Sequence, residues 1–175
     1  AWLAGEQWKL DAFRAYDTII GYDENGKPLR AGPDLYKLAY SRSFNKPIEE
    51  VDGDDRFIGK VQELALGYQG AVGAFGSMAA LYGVELPEDE ILKIVRAWRQ
   101  ANSKIRAFWY ACENAAKAAT VNRNMEFEVG KVVFDRDKNW LRCRLPSGRY
   151  LCYASPIVDE ETEKLSHMGV DPYTK

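Results

Sequence analysis

The chain has 175 residues, the size of one domain or one domain with an appendage. Hydrophobic residues make up 46% and charged residues 29%, which excludes a disordered polar chain. With 24 Lys and Arg against 26 Asp and Glu, net charge −2, it is no uniformly basic nucleic-acid binder, although one local basic face stays open.

Apolar spacing predicts a first helix over residues 6–16, entered after Gly5. Asn25-Gly26 between two short apolar stretches predicts a β-hairpin within residues 17–30. Asp34 is the N-cap of a second helix that runs to about Phe44, where Asn45-Lys46-Pro47 breaks it. Asp52-Gly53-Asp54-Asp55 opens a third helix, expected over residues 54–67 or beyond, and its acidic start suits the macrodipole. Small residues over 70–83 predict one or two short, closely packed helices. Leu86-Pro87-Glu88 starts a long helical region, with helical spacing kept from Ile91 to Ala119 and a break or bend near Asn102-Ser103. Trp98, Phe108 and Trp109 fall at core spacing. After Asn122 the period changes to two. Residues 125–129, 131–134, 140–145 and 149–153 predict a small antiparallel sheet, with Pro146-Ser147-Gly148 as a tight turn. The expected class is α+β: a mainly helical region over 1–124 with a hairpin insertion, then a small β region over 125–175.

No apolar run approaches the roughly 20 residues a membrane span needs, and Lys9, Asp11 and Arg14 interrupt the start too early for a signal peptide. Cys112, Cys143 and Cys152 lack metal-ligand spacing and are expected as reduced, intracellular thiols in small core positions. His167, the single histidine, is expected on the surface or in the sheet rather than as a ligand. No metal site is expected in the chain. The acidic residues at helix starts, Asp52, Asp54 and Asp55, are read as caps.

The third helix carries Arg56, Lys60, Leu64 and Tyr68 at steps of four residues. Four residues turn about 400°, so each step drifts about 40° and the side chains form one slowly winding stripe roughly 18 Å long. Two cations at one end and an aliphatic and an aromatic residue at the other match a nucleoside triphosphate, phosphates toward Arg56 and Lys60, base and sugar toward Leu64 and Tyr68. The same spacing also suits an amphipathic helix with two solvated cations.

The run from Arg56 to Gly70 resembles motif B, the fingers O helix, of family A DNA polymerases of the bacterial polymerase I type, in its phage and prophage form. The likeness extends to the flanks. Residues 1–6 resemble the segment after motif A. Gly32-Pro33-Asp34-Leu35-Tyr36 with Ala39 stands where the family usually has Asp-Ile-His with Thr-Ala behind it. Residues 96–99 and 104–109 resemble the long helix after the fingers helix, and residues 145–153 and 168–170 resemble the phage branch's β insertion. The resemblance implies that Arg56 and Lys60 bind the phosphates of the incoming deoxynucleotide and that Tyr68 guards the base site beside the templating base. It further implies that Gly67, Gln69 and Gly70 line the template's path. Leu64 stands where the family usually has Phe or Tyr against the sugar. Tyr36 replaces a usual His phosphate contact, and Gln69 separates Tyr68 from a Gly that usually follows directly. The family's two metal-binding carboxylates lie in motifs A and C, which the resemblance places outside this chain. It therefore implies a fingers piece of a polymerase that needs Mg²⁺, is inactive alone, and works in the bacterial cytoplasm with dNTP, primer-template DNA, and the palm and thumb. Exposed palm-facing apolar surface would favour self-association.

Two other classes stay open: a non-catalytic helical binding module, and a single-subunit RNA polymerase sharing the Arg/Lys stripe. Residues 93–117 hold Lys93, Arg96, Arg99, Lys104, Arg106 and Lys117 against Glu113, a surplus of 6 − 1 = +5. That segment could meet a phosphate backbone or be a solvated helix face. Arg142 and Arg144 share a strand face and could contact duplex or pair across strands with Glu126 or Glu128.

Overall fold

The computed structural model describes residues 1–169, so Val170 of the last matched stretch lies outside the described residues. The chain packs as two units, one of Ala1–Arg106 and one beginning at Ala107. Helices, a two-stranded sheet and a five-stranded antiparallel sheet make the fold α+β.

In the first unit α1 (Gln7–Asp17) leads into β1 (Ile19–Tyr22) and β2 (Pro28–Arg30), an antiparallel pair with Tyr22 opposite Pro28. In the loop between them Gly26 takes φ 76°, and Asp23 Oδ1 accepts from the amides of Asn25 and Lys27, each at 2.9 Å. The Asn-Gly signal therefore makes its hairpin through an Asp-anchored loop rather than a two-residue turn. α2 (Leu35–Phe44) starts at Asp34, whose Oδ1 accepts from the amides of Tyr36 at 3.0 Å and Lys37 at 3.1 Å. It stops at left-handed Asn45, φ 51°. α3 (Gly53–Val61) begins with a reciprocal capping box between Asp52 and Asp55. The helix then continues to Leu66, but over Gln62–Leu66 it widens into a π turn. α4 (Val72–Leu81) is one helix, and α5 (Glu88–Ala101) buries Ile91, Ile94, Val95 and Trp98 as one stripe.

The expected break falls at Asn102, before α6 (Ser103–Val121). The buried Asn102 side chain explains it: Nδ2 donates to the Trp98 carbonyl at 2.9 Å, ending α5. Glu6 then caps α6, its Oε2 accepting from the Lys104 and Ile105 amides at 3.0 and 3.2 Å. Trp98, Phe75, Leu66, Val61 and Val51 form the buried centre of this unit. Phe108 and Trp109, expected in the core beside Trp98, are only half-buried. Among the described residues no helix is long and apolar enough to cross a membrane.

The second unit carries β3 (Phe127–Val129), β4 (Val132–Asp137), β5 (Trp140–Arg144), β6 (Tyr150–Val158) and β7 (Leu165–Met168), ordered β3-β4-β5-β6-β7. Alternation buries Val132, Phe134, Leu141 and Cys143. Arg136 ties that face to α6 by donating to the Thr120 carbonyl. The fifth strand was not among the expected ones. The change of period at Asn122 marks where helix yields to strand, whereas the division between units falls inside α6. Of the cysteines, Cys143 is buried and Cys112 half-buried, its thiol pushed up to about 11 by burial and by nearby Cys143. Cys152 is exposed and corrects the expectation of three core thiols: it lies opposite Arg142, on the sheet face away from the buried one. His167 sits exposed on β7 with its ring edge-on to Tyr153 at 5.1 Å.

Candidate functional site

The stripe of α3 is placed by a close helix crossing. A Cβ at Gly59 would run into the Tyr36 carbonyl oxygen, so only glycine lets α3 press against the first turn of α2. That approach brings Arg56 onto Tyr36 and Asp34. Arg56 Nη2 donates to Asp34 Oδ2 at 3.0 Å, and its guanidinium lies 5.2 Å from the centre of the Tyr36 ring. The Arg56 side chain keeps 41% of its surface exposed, so the pair is a surface one and leaves donors of the guanidinium beyond the one bonded to Asp34. Burial works to raise the Asp34 carboxyl, but hydrogen bonds from Arg56 and from the Lys37 and Tyr36 amides outweigh it and hold it below 3.8. Lys60 has a different support: its Nζ lies 4.7 Å from the centre of the Tyr82 ring, itself edge-on to Phe57 at 5.4 Å.

The π turn corrects the expected uniform drift of the stripe. At about 4.4 residues per turn each residue advances about 82° instead of about 100°, so the drift cancels beyond Val61. Leu64 is thereby held about 26° from Arg56 instead of about 80°, and about 14° from Lys60. Tyr36, Arg56 and Leu64 line one groove of about 410 Å³ with Trp8, Phe13 and Tyr16, and neither Lys60 nor Tyr68 lines it. Leu64 is 38% exposed and Tyr68 88%. Gln62, also in the π turn, is fully buried with neither polar end of its amide hydrogen-bonded.

A network that the sequence reading missed anchors the π turn. Glu63 accepts from Lys9 Nζ at 2.8 Å and from Trp98 Nε1 at 2.9 Å, and Lys9 also donates to Asn102 Oδ1 at 3.2 Å. The partners are 54, 35 and 93 residues apart, so no local pattern announces them. Tyr82 was missed for the same reason; its ring under Lys60 comes from beyond α4. Past the π turn, Gly67 and Gly70 are held by the backbone. A Cβ at Gly70 would strike the Ala65 carbonyl oxygen and one at Gly67 the Glu63 carbonyl oxygen. Gln69 between them is left-handed, φ 66°. Tyr68 therefore projects from a tight turn of fixed shape.

The carboxylates near the stripe do not fit a Mg²⁺ site. Asp52 and Asp55 cap α3, Asp55 also meets Lys46, and Asp34 caps α2 and meets Arg56. Among the described residues no cluster of acidic, His or Cys side chains could hold an ion.

No family model matches the chain. Over 162 residues, 91% of its length, it is 39% identical to a protein of Bacillus phage SP02 named DNA polymerase. The chain spans only 22% of that relative.

Proposed function

We propose that this chain is a piece of a template-directed DNA polymerase of family A, and that its 410 Å³ groove and stripe receive the incoming dNTP. The observation that carries the reading is the convergence of Tyr36, Arg56 and Leu64 on one groove, in a chain that resembles a phage DNA polymerase along most of its length. Arg56 and Lys60 bind the phosphates. Arg56 offers a planar fork that Asp34 and Tyr36 keep oriented, and Lys60 offers a mobile point charge over Tyr82. Tyr36 acts as the platform of Arg56 and donates one phenolic hydrogen bond, without the charge of a histidine. Leu64 packs the sugar edge with an aliphatic side chain, and exposed Tyr68 stacks near the templating base. Gly67, Gln69 and Gly70 form the turn past which the template runs. The fingers helix delivers the nucleotide to a palm that brings the Mg²⁺ carboxylates, since no acidic cluster among the described residues could hold the ion.

Titration of the isotope-labelled chain with dTTP, followed by NMR, tests the reading. The expected result is that Arg56 and Lys60 side-chain signals shift together. Arg56→Ala and Lys60→Ala should each weaken dTTP binding about ten- to a hundredfold, the worth of a charge-assisted hydrogen bond of roughly 1.5–3 kcal/mol. Unchanged affinity in both variants would leave the stripe as a solvated helix face.

A further inference from the structure

We propose that the groove where α5 meets α6 binds the phosphodiester backbone of a single nucleic-acid strand. The strand's identity as template rests on the polymerase reading above; the chemistry of the groove does not. The groove measures about 430 Å³ and is lined by Arg96, Arg99, Gln100, Ser103 and Arg106. Three guanidinium groups and two neutral polar side chains line it, with no carboxylate. In a chain of net charge −2 that is a local concentration of positive charge against the overall sign.

The break at Asn102 builds it. Arg96 and Arg99 lie three apart on the end of α5, Ser103 and Arg106 three apart on the start of α6, so each pair shares a helix face. Of the other cations of this unit, Lys9, Lys46, Arg56 and Lys93 are paired with Glu63, Asp55, Asp34 and Asp89, Arg30 and Lys37 donate to backbone carbonyls, and Arg42 and Lys60 lie over aromatic rings. Among the described residues Arg96 and Arg99 have no carboxylate partner. The Arg99 bond is to a carbonyl, Nη2 to Gly70 O at 3.2 Å, which leaves its charge uncompensated. The α6 N-terminus takes no part, because Glu6 already accepts its Lys104 and Ile105 amides.

Two features select a strand over a free phosphate. The arginines are spread over two helices, and Arg96 and Arg106 are exposed, so they suit successive phosphates along an open track better than one enclosed anion. The Arg99–Gly70 bond also ties one arginine of the track to the end of the turn that carries Tyr68. No aromatic side chain lines the groove, so it grips backbone without stacking bases and reads no sequence.

The test uses the 175-residue chain, a fluorescein-labelled 20-nucleotide oligo-dT and anisotropy over a range of salt. The expected result is that Arg96→Gln/Arg99→Gln/Arg106→Gln weakens strand binding at least about tenfold. The salt slope should fall by about 2, since each phosphate contact to a single strand contributes about 0.7. The corresponding triple Lys variant should retain most of the affinity, which separates charge from folding, and both variants should keep the parent melting temperature. The proposal is overturned if the parent chain does not bind the strand. It is equally overturned if the Gln variant binds with the parent's affinity and slope, or if dTTP at equal phosphate concentration displaces the strand. Arg56→Ala/Lys60→Ala, measured alongside, should lose dTTP and keep the strand. If that variant keeps dTTP the polymerase reading fails, while the arginine result still decides the groove.

Discussion

Arg56 divides its guanidinium between the Asp34 carboxylate at 3.0 Å and the face of the Tyr36 ring. Asp34 in turn caps α2 through the Tyr36 and Lys37 amides, so one carboxylate starts a helix and aims a cation. Asp55 repeats the pattern on α3. Burial works to raise its carboxyl, but hydrogen bonds from Lys46 and Tyr40 and the Asp52 amide hold it below 3.8. Both carboxyls titrate lower folded than unfolded, so the stability they contribute is fully present above about 4 and is lost as pH falls through their folded values. The melting temperature should therefore stay level from pH 7 to about 5 as far as these groups decide it, and fall below about 4. Asp34→Asn/Asp55→Asn should start lower at pH 7 and lose less between pH 5 and 3 than the parent. Parallel curves for parent and variant, recorded by far-UV circular dichroism, would exclude these two carboxylates as the source. Tyr40, on the other side of Asp55, is pushed up to about 12 by burial and by that carboxylate, so it stays a neutral donor throughout this range.

The crossing of α2 and α3 at Gly59 sets the separation of the Tyr36 platform from the Arg56 stripe. On helix propensity alone Gly59→Ala would gain about 1 kcal/mol. Here the new Cβ meets a backbone carbonyl, which cannot swing aside as a side chain can, and overpacking of this kind costs about 1–3 kcal/mol. The packing cost wins. Gly59→Ala should lower the urea midpoint without changing the slope, and it should weaken dTTP binding by pulling Arg56 off Asp34. A neutral or stabilised variant would mean that the two helices separate freely and that the crossing does not set the site. Gly73 is a fair control on the neighbouring helix α4: nothing lies within 4 Å of a Cβ there, so Gly73→Ala should gain the propensity term. The π turn is the second device at this scale. It returns Leu64 toward Arg56 and is held by Glu63 on Lys9 and Trp98.

At the scale of the chain, the features legible in the sequence are those set by neighbours along it. Asp34, Asp52 and Asn25-Gly26 announced their two caps and hairpin because each acts within four residues, while the reciprocal bond that makes Asp52 and Asp55 a capping box emerged in the structure. The sheet announced itself by a period of two, except β7, whose four residues are mostly exposed and do not alternate in burial. The α3 stripe was legible as a pattern, but its geometry was not: the π turn depends on Glu63 partners 54 and 35 residues away, and Tyr82 reaches Lys60 only through the fold. The same division of labour bears on activity. The acidic groups nearest the stripe are committed to helix starts and to Lys46 and Arg56, and among the described residues no carboxylate cluster is placed to hold a metal. Phosphoryl transfer to a primer hydroxyl needs two metal ions about 4 Å apart to stabilise both the attacking and the leaving oxygen, and cationic side chains alone cannot replace that. The isolated chain should therefore bind dTTP and extend no primer. The check is single-turnover primer extension with the chain in large excess, in Mg²⁺ and in Mn²⁺, against a control without protein. Product that survives repurification of the chain and disappears with Lys60→Ala would mean that these residues assemble a reaction centre of their own.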